Sequence, residues 1–336
     1  GPLSGMVYGG IIGLGFTLTE DIMYIIGAAT EAGGAGFIGS HIVDAMLEAG
    51  HSVAVIDDLS SGVAERLDPR ARLYRVSITD FAAVEEVFAK EHPDLVNHHA
   101  AQTDVRRSMA DPIFDARVNV LGSVSLLQLS VKYDVSRFVL ASTSAVYSEP
   151  AYLPMDESHP TAPQSAYGAS KHSAENYVRF YADAHGLRYK IFRYGNVYGP
   201  RQNPKGEAGV VAIFAGQLLD GGQSTIFGDG TKTRDYVFVT DIAKANLMAM
   251  EPVGDDHVYN LSCGTGVSDL EIYEAVRAAA GVRMEPLYAP KRPGEADSVC
   301  LDSSLAKRLL GWVPTVPLDE GIAPSVAHHR SLAQGR

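Results

Sequence analysis

A chain of 336 residues, 46% hydrophobic and 20% charged, carries enough apolar material for one large domain or two merged ones. Its 28 Lys+Arg against 40 Asp+Glu give a formal net charge of -12, the wrong sign for gathering phosphate backbones, so nucleic-acid binding is excluded. Cys263 and Cys300, far apart and without Cys-x-x-Cys spacing, exclude a disulfide framework or structural zinc and suit a reducing cytoplasm, while Glu20, Asp21 and Glu31 break the N-terminal apolar segment well short of the ~18–20 residues of a membrane span.

In chain order, Gly1-Pro2-Leu3-Ser4 resembles the scar of a cleaved tag, and residues 1–31 read as an atypical N-terminal segment. Gly33, Gly36 and Gly39 then stand directly before an apolar-periodic segment, Ser40 to Ala49, that stops at Gly50. This spacing predicts a tight turn that brings backbone amides and a helix N-terminus against a pyrophosphate. The strand Ser52 to Ile56 ends at Asp57, 24 residues after Gly33, where a carboxylate accepts hydrogen bonds from an adenosine ribose. No arginine stands beside it to meet a 2′-phosphate, so NAD is favoured over NADP.

Further β-branched runs follow at Leu95–Asn97 and Arg137–Ala141, alternating with amphipathic segments, which predicts βαβ units and a parallel sheet. Ser142-Thr143-Ser144 sits at the tip of the Arg137–Ala141 strand, where ligands meet a doubly wound sheet. A helix over Ser165–His185, ended by Gly186, puts Tyr167 and Lys171 at i and i+4 on one face. A phenol that titrates near 10 becomes a usable base near neutrality only beside a cation, and one of the upstream hydroxyls can relay its proton. Beyond about residue 200 the Pro/Gly-containing loop Gly199–Gly206 opens a less regular region, from which Tyr236–Val239 and Val258–Leu261 are expected to join the main sheet. The apolar residues at 236–239 read as core.

His98 and His99 end an apolar strand, but neighbouring strand residues point to opposite faces and no carboxylate or cysteine cluster joins them, so no metal is expected. His328 and His329 lie in a polar segment and are expected to be solvated.

Together these stretches resemble the extended short-chain dehydrogenase/reductases, specifically the UDP-glucose (UDP-galactose) 4-epimerase family, over about Gly33 to Gly321. The carriers are Gly33–His41, Asp57–Gly62, His99–Gln102, Ser142–Tyr147, Tyr167–Lys171, Arg193–Arg201, Thr233–Tyr236 and Arg292–Glu295. The resemblance implies an α/β fold: a Rossmann-type doubly wound parallel sheet over 22–200 that binds NAD, with a smaller UDP-sugar-binding region over 201–330 intertwined with it. It implies Thr143 as the proton-shuttling hydroxyl, Tyr167 as base and Lys171 as its partner. It places NAD against Gly33, Gly36, Phe37, Ile38 and Gly39; against Asp57, Asp58, Ser60, Ser61 and Gly62; against Ser77, Ile78, Ala100, Ala101 and Gln102; and against Asn119, Ser142, Tyr167, Lys171, Tyr194 and Val197. The UDP-sugar falls to Thr143, Ser144, Tyr167, Asn196, Val211, Thr225, Phe227, Arg234, Arg292 and Glu295, two arginines being suited to grip a diphosphate. A homodimer is implied as well.

Two departures stand out. The family's first strand runs straight into a threonine before the glycine pair, whereas Thr30-Glu31-Ala32 precedes Gly33 here, which leaves the first strand unplaced; and Ser77 replaces the usual aspartate near the adenine. Among activities, C4 epimerisation of a UDP-hexose leads. A 4,6-dehydratase needs an Asp-Glu pair after the threonine, where Ser144-Ala145 stands; a UDP-glucuronate epimerase would carry an arginine at Asn203. Val299 is small enough for an N-acetyl group. A non-catalytic NAD-binding regulator would need the glycine turn but not Tyr167.

Overall fold

The computed structural model describes residues 24–28, 31–32, 34–204, 209–292 and 296–334. The strands are β1 (Tyr24–Ala28), β2 (Glu31–Ala32), β3 (Val53–Asp57), β4 (Arg72–Tyr74), β5 (Leu95–His98), β6 (Ala101–Gln102), β7 (Arg137–Thr143), β8 (Arg188–Tyr194), β9 (Asn196–Tyr198), β10 (Thr225–Phe227), β11 (Thr233–Phe238), β12 (His257–Leu261), β13 (Gly266–Ser268) and β14 (Leu287–Ala289). The helices are α1 (Phe37–Glu48), α2 (Phe81–Glu91), α3 (Val105–Ala110), α4 (Pro112–Ala116), α5 (Ser123–Lys132), α6 (Ala166–His185), α7 (Val210–Leu219), α8 (Val239–Met248), α9 (Asp269–Ala280), α10 (Ser304–Leu310) and α11 (Leu318–Gln334). Between α4 and α5 the residues Arg117–Gly122 form a π-helical turn.

Seven strands make the main sheet in the order β12-β8-β7-β5-β1-β3-β4, every neighbouring pair parallel. The order reverses direction between β1 and β5, and at such a switch point a doubly wound sheet opens a crevice above its carboxyl ends. The period of two along each strand decides what covers each face. On β7, Val139 and Ala141 join a core with Ile42, Val43 and Met46 of α1 and Ile242 and Ala245 of α8; Phe138 and Leu140 face Val87 and Phe88 of α2, Leu126 and Leu127 of α5, and Val178 of α6. A third core beyond the sheet gathers Val211 and Phe214 of α7, Tyr236 and Phe238 of β11, Tyr273 of α9 and Val326 of α11.

The unplaced first strand is Tyr24–Ala28, which pairs with both β3 and β5. The chain does not run straight from it into the glycines: β2 first pairs antiparallel with β6, Ala32 opposite Ala101. Of the two late segments expected in the main sheet, Val258–Leu261 joins it alongside β8, but Tyr236–Phe238 does not. It pairs with β9, which continues past the end of β8 after Gly195, and lies in a separate three-stranded sheet with β13. Periodicity reports burial, which is complete over 236–239, and not the neighbouring strand. The expected solvation of the C-terminal histidines fails for His329: the last segment is a helix, and His329 lies on its buried face, where burial lowers the imidazole to about 4.

At the amino end of the sheet, Arg137 starts β7, and Lys190 lies three residues into Arg188–Tyr194. Both turn onto Asp255 in the turn before β12. Arg137 makes a fork of 2.7 and 2.9 Å to the two carboxylate oxygens, and Lys190 donates at 2.5 Å to Oδ1 and at 2.7 Å to the Glu251 carbonyl. Lys190 is wholly buried. Removing the carboxylate strands two buried cations, so Asp255→Ala is expected to lower unfolding free energy by about 3–5 kcal/mol, read from chemical denaturation. A loss below about 1 kcal/mol would mean the cations find other partners.

Candidate active site

The helix α1 begins at Gly36, whose extended backbone (φ -77, ψ -172) caps it with no side-chain acceptor and no acidic residue in the first turn. Its leading amides are therefore available to an anion. Gly33 lies outside the described residues; Phe37 and Ile38 are half-buried, and Gly39 is buried. Asp57, at the carboxyl end of β3, is buried and accepts from the amides of Ala35 (2.9 Å) and Leu59 (2.8 Å). Burial raises its carboxyl above the ordinary value against those two bonds. It thus ties the glycine turn to the next loop, a role the sequence did not show. Gly62 makes this possible, because a Cβ there would stand 2.7 Å from Asp57 Oδ1. Asp58 Oδ1 accepts the Ser60 amide at 2.9 Å, and the next residue, Ser61, is half-buried. Ser77 Oγ bonds Thr79 Oγ1 at 3.0 Å, whereas Ile78 is wholly buried against Gly122.

The candidate reactive side chains gather where β7 ends and α6 begins. Ser165 caps α6 by accepting the Gly168 amide at 3.0 Å. Gly168 is essential to the approach, since a Cβ there would overlap the Ala145 carbonyl oxygen in the turn that follows β7. The close packing sets the Tyr167 hydroxyl against Thr143, whose Oγ1 accepts the Ala145 amide at 3.1 Å. Burial pushes the Tyr167 phenol up to about 12; the Thr143 hydroxyl works against this, and the charge of Asp115 adds to it. Lys171, one turn on, is 3% exposed, and burial lowers it to about 8 against the charges of Glu175 and Asp115.

Beneath this pair lies a buried layer that the sequence reading missed. Glu175 continues the i, i+4 stripe of Tyr167 and Lys171. Its Oε1 accepts from Ser142 Oγ (2.6 Å) and Arg193 Nε (2.8 Å), and its Oε2 from Arg193 Nη2 (2.6 Å). The Arg193 guanidinium also lies 4.7 Å over the Tyr147 ring. Burial alone would raise Glu175, but hydrogen bonds from Arg193 and Ser142, with the guanidinium charge, hold it at about 2. The spacing from Lys171 was the available signal for Glu175.

Asn119, expected beside the nicotinamide, sits in the π-helical turn with its side chain fully engaged: it accepts the Gln102 amide at 2.8 Å and donates to the Gln102 carbonyl, Asp115 Oδ1 and Ser170 Oγ. It thereby fixes the buried Ala100–Gln102 stretch against α6. Tyr194 is likewise buried, its hydroxyl bonded to His99 Nε2 (2.9 Å) and Asn246 Nδ2 (3.0 Å). His98 and His99 are core residues; burial, with the Lys171 charge, drives His99 down to about 3. Among the described residues no group of three His, Cys, Asp or Glu side chains could hold a metal.

On the far side, Arg292 lies 3.8 Å over the Phe227 ring, so two expected substrate residues meet. Arg234 donates to the Thr233 carbonyl at 2.7 Å, and Thr225 opens β10 two residues before Phe227. Asn196 and Val197, on β9, and Ser144, after β7, are half-buried. Val211 is packed into the third core, so its side chain is committed there. Glu295 lies outside the described residues. Asp235, the residue after Arg234, was missed: its buried carboxylate accepts the amides of Cys263, Gly264 and Leu301, each at 3.0 Å, and so gathers two loops beside Arg234.

Residues 32–262 match the model of the NAD dependent epimerase/dehydratase family. Residues 1–53 also match that of the PrsW family intramembrane metalloprotease, too small a share of the chain to assign it there. A curated UDP-glucose 4-epimerase of Mycolicibacterium smegmatis is 42% identical over 308 residues, 90% of this chain and 98% of that protein. The crystal structure of a Thermotoga maritima UDP-glucose 4-epimerase with UDP-glucose superposes with a TM-score of 0.88 at 43% identity, covering 93% of this chain and 99% of the other. A Thermus thermophilus UDP-glucose 4-epimerase in complex with NAD gives 0.85 at 40% identity, covering 92% and 98%.

Because Glu175 titrates below the ordinary carboxylate range when folded, its contribution to stability is complete above the unfolded value and is lost as pH falls through the folded one. The stability gap between the parent enzyme and Glu175→Gln should therefore be widest above about pH 5 and shrink toward about pH 2, measured by urea unfolding across that range. A gap independent of pH would show that the pair's charges carry none of it.

Proposed function

The chain belongs to the NAD-dependent epimerase/dehydratase family, and from that premise we propose that it interconverts the C4 epimers of a UDP-hexose, UDP-glucose and UDP-galactose, through a transient 4-keto sugar. The observation that carries this reading is the Tyr167 phenol set against Thr143 at the sheet's carboxyl edge with Lys171 one turn below. The dinucleotide fits this chain: the uncapped amides of Gly36–Gly39 face a phosphate, and Asp57, pinned at the end of β3, is the acceptor for a ribose. Bound NAD supplies the hydride acceptor and donor, and in its oxidised form a positive ring that favours a nearby phenolate.

Tyr167 takes the proton of the C4 hydroxyl, with Thr143 Oγ1 as the hydroxyl between them. A phenol at about 12 is a poor base at neutrality, so the Lys171 ammonium, still mostly protonated there at about 8, helps bring its proton off. The keto sugar then turns over and receives hydride on its other face, Tyr167 returning the proton. Arg234 and Arg292 are the candidates for the diphosphate, with Phe227, held under Arg292, for the uracil side. Elimination of water would need an acid and a base after Thr143, and Ser144-Ala145 supplies neither.

This reading includes a homodimer in the cytoplasm. Free thiols at Cys263 and Cys300 suit a reducing compartment. Met109, Ile113, Leu121, Tyr177 and Phe180 are large apolar side chains left exposed on α3, α4, the π-helical turn and α6, which pack against one another, and Ile113 is 73% exposed. Such a face suits a second copy of the chain. Ile113→Asp with Phe180→Asp should give a monomer by sedimentation; a parent enzyme that already sediments as a monomer removes the dimer from the reading.

Incubation with UDP-glucose or UDP-galactose should give the other epimer, followed through the anomeric protons by NMR, and no interconversion would overturn the proposal. Tyr167→Phe should lose about 10²–10⁴-fold in kcat while still binding UDP-sugar.

A further inference from the structure

The charges of two buried carboxylates, Glu175 and Asp115, act on Lys171. Glu175 is matched by Arg193. Asp115, on α4, is 1% exposed; its Oδ1 accepts from Gln102 Nε2 (2.8 Å) and Asn119 Nδ2 (3.2 Å), both neutral amides, and its Oδ2 is buried with no partner among the described residues. The same Asn119 amide donates at 3.0 Å to Ser170 Oγ, which donates at 3.0 Å to the Tyr167 carbonyl. A buried oxygen without a donor costs roughly 1–3 kcal/mol. A positive charge acting through a medium of low dielectric offsets such a cost.

We propose that Asp115 is a positioning residue for the reaction: through Asn119 and Ser170 it anchors the helical turn joining Tyr167 to Lys171, and beside Glu175 it supplies a second counter-charge to the Lys171 ammonium. This rests on the epimerase reading. Glu175 acts on Lys171 first and Asp115 next, and no other anion is among the groups that face it. From β5 come His98 and His99, both pushed below their ordinary range by burial and by the Lys171 charge. From α6 come Tyr167, His172 and Glu175, and from β8 comes Arg193, whose charge Glu175 cancels. Asp115 raises both partners, so it keeps the lysine charged while making the phenol harder to ionise. On this reading it favours protonated Lys171 at the expense of a phenol that ionises less readily.

The test is Asp115→Asn in the NAD-loaded enzyme, which keeps the acceptor oxygen and removes the charge. The alkaline limb of kcat against pH should move about one unit lower, with KM changed less than about twofold. Without substrate, the tyrosinate absorbance, taken as the difference between Asp115→Asn and the same variant with Tyr167→Phe, should also titrate at lower pH than in the parent pair. A folded Asn variant whose tyrosinate midpoint stays at the parent value overturns the inference, whatever its activity. If the Asn variant does not fold, Asp115→Ser takes its place in the same titration. Absence of turnover in the parent enzyme would overturn the epimerase reading alone, since the tyrosinate titration needs no sugar.

Discussion

Lys171 is an ammonium with 3% of its surface exposed, and the rest of the site follows from the cost of keeping it charged there. Burial lowers its proton affinity, so an anion has to stand near it. A second buried anion brings its own cost, which Arg193 offsets for Glu175 with a two-pronged bond. The imidazoles in the same layer, His98 and His99, stay neutral because the same burial and the same lysine disfavour their charged forms. What looks like a dense set of ionisable groups is therefore one cation, its counter-charges and neutral partners.

The sheet separates two uses of buried charge along single strands. β7 begins at Arg137, in the ion cluster on Asp255, and ends at Thr143, on the Tyr167 hydroxyl; β8 carries Lys190 near its start and Arg193 near its end. Between them the apolar run Phe138–Ala141 is buried on both faces, as a central parallel strand requires. At the amino end no reactive hydroxyl meets the ions, and their partners are a carboxylate and backbone carbonyls. At the carboxyl end helix N-termini and strand tips converge, and the charges there act on a phenol.

Legibility in the sequence followed the range of each interaction. The glycine spacing, Asp57 at a strand end and Tyr167 with Lys171 at i, i+4 are local patterns, and the structure brings Tyr167 to Thr143. Asp115 carries no local signal, because its partners Gln102, Asn119 and Ser170 are fixed by how α4 and the π-helical turn pack on α6. Tyr194 was expected at the cofactor from resemblance, yet its hydroxyl is held between His99 and Asn246, a contact across 95 and 52 residues that no periodicity reports. The placement of β11 failed for the same reason: its apolar residues announce a core and leave the partner strand open. His329 was misjudged because its helix buries one face whatever the average polarity of the segment.

Asp57 and Asp235 show how short turns acquire the rigidity that chemistry needs. Each is a buried carboxylate that accepts backbone amides from segments distant in sequence, Asp57 from Ala35 and Leu59, Asp235 from Cys263, Gly264 and Leu301. A loop held only by its own turn would sample many conformations, and its reacting partners would have to be ordered at each encounter. Charge-assisted bonds to the amides remove that freedom before a ligand arrives. Asp57 does so at the glycine turn and Asp235 beside Arg234, so the same device fixes the candidate cofactor edge and the candidate diphosphate edge. The side chains that react sit on the ends of β7 and α6, which the sheet and its packing already hold, whereas the candidate diphosphate side chains sit on short strands and loops that depend on these carboxylates for their position.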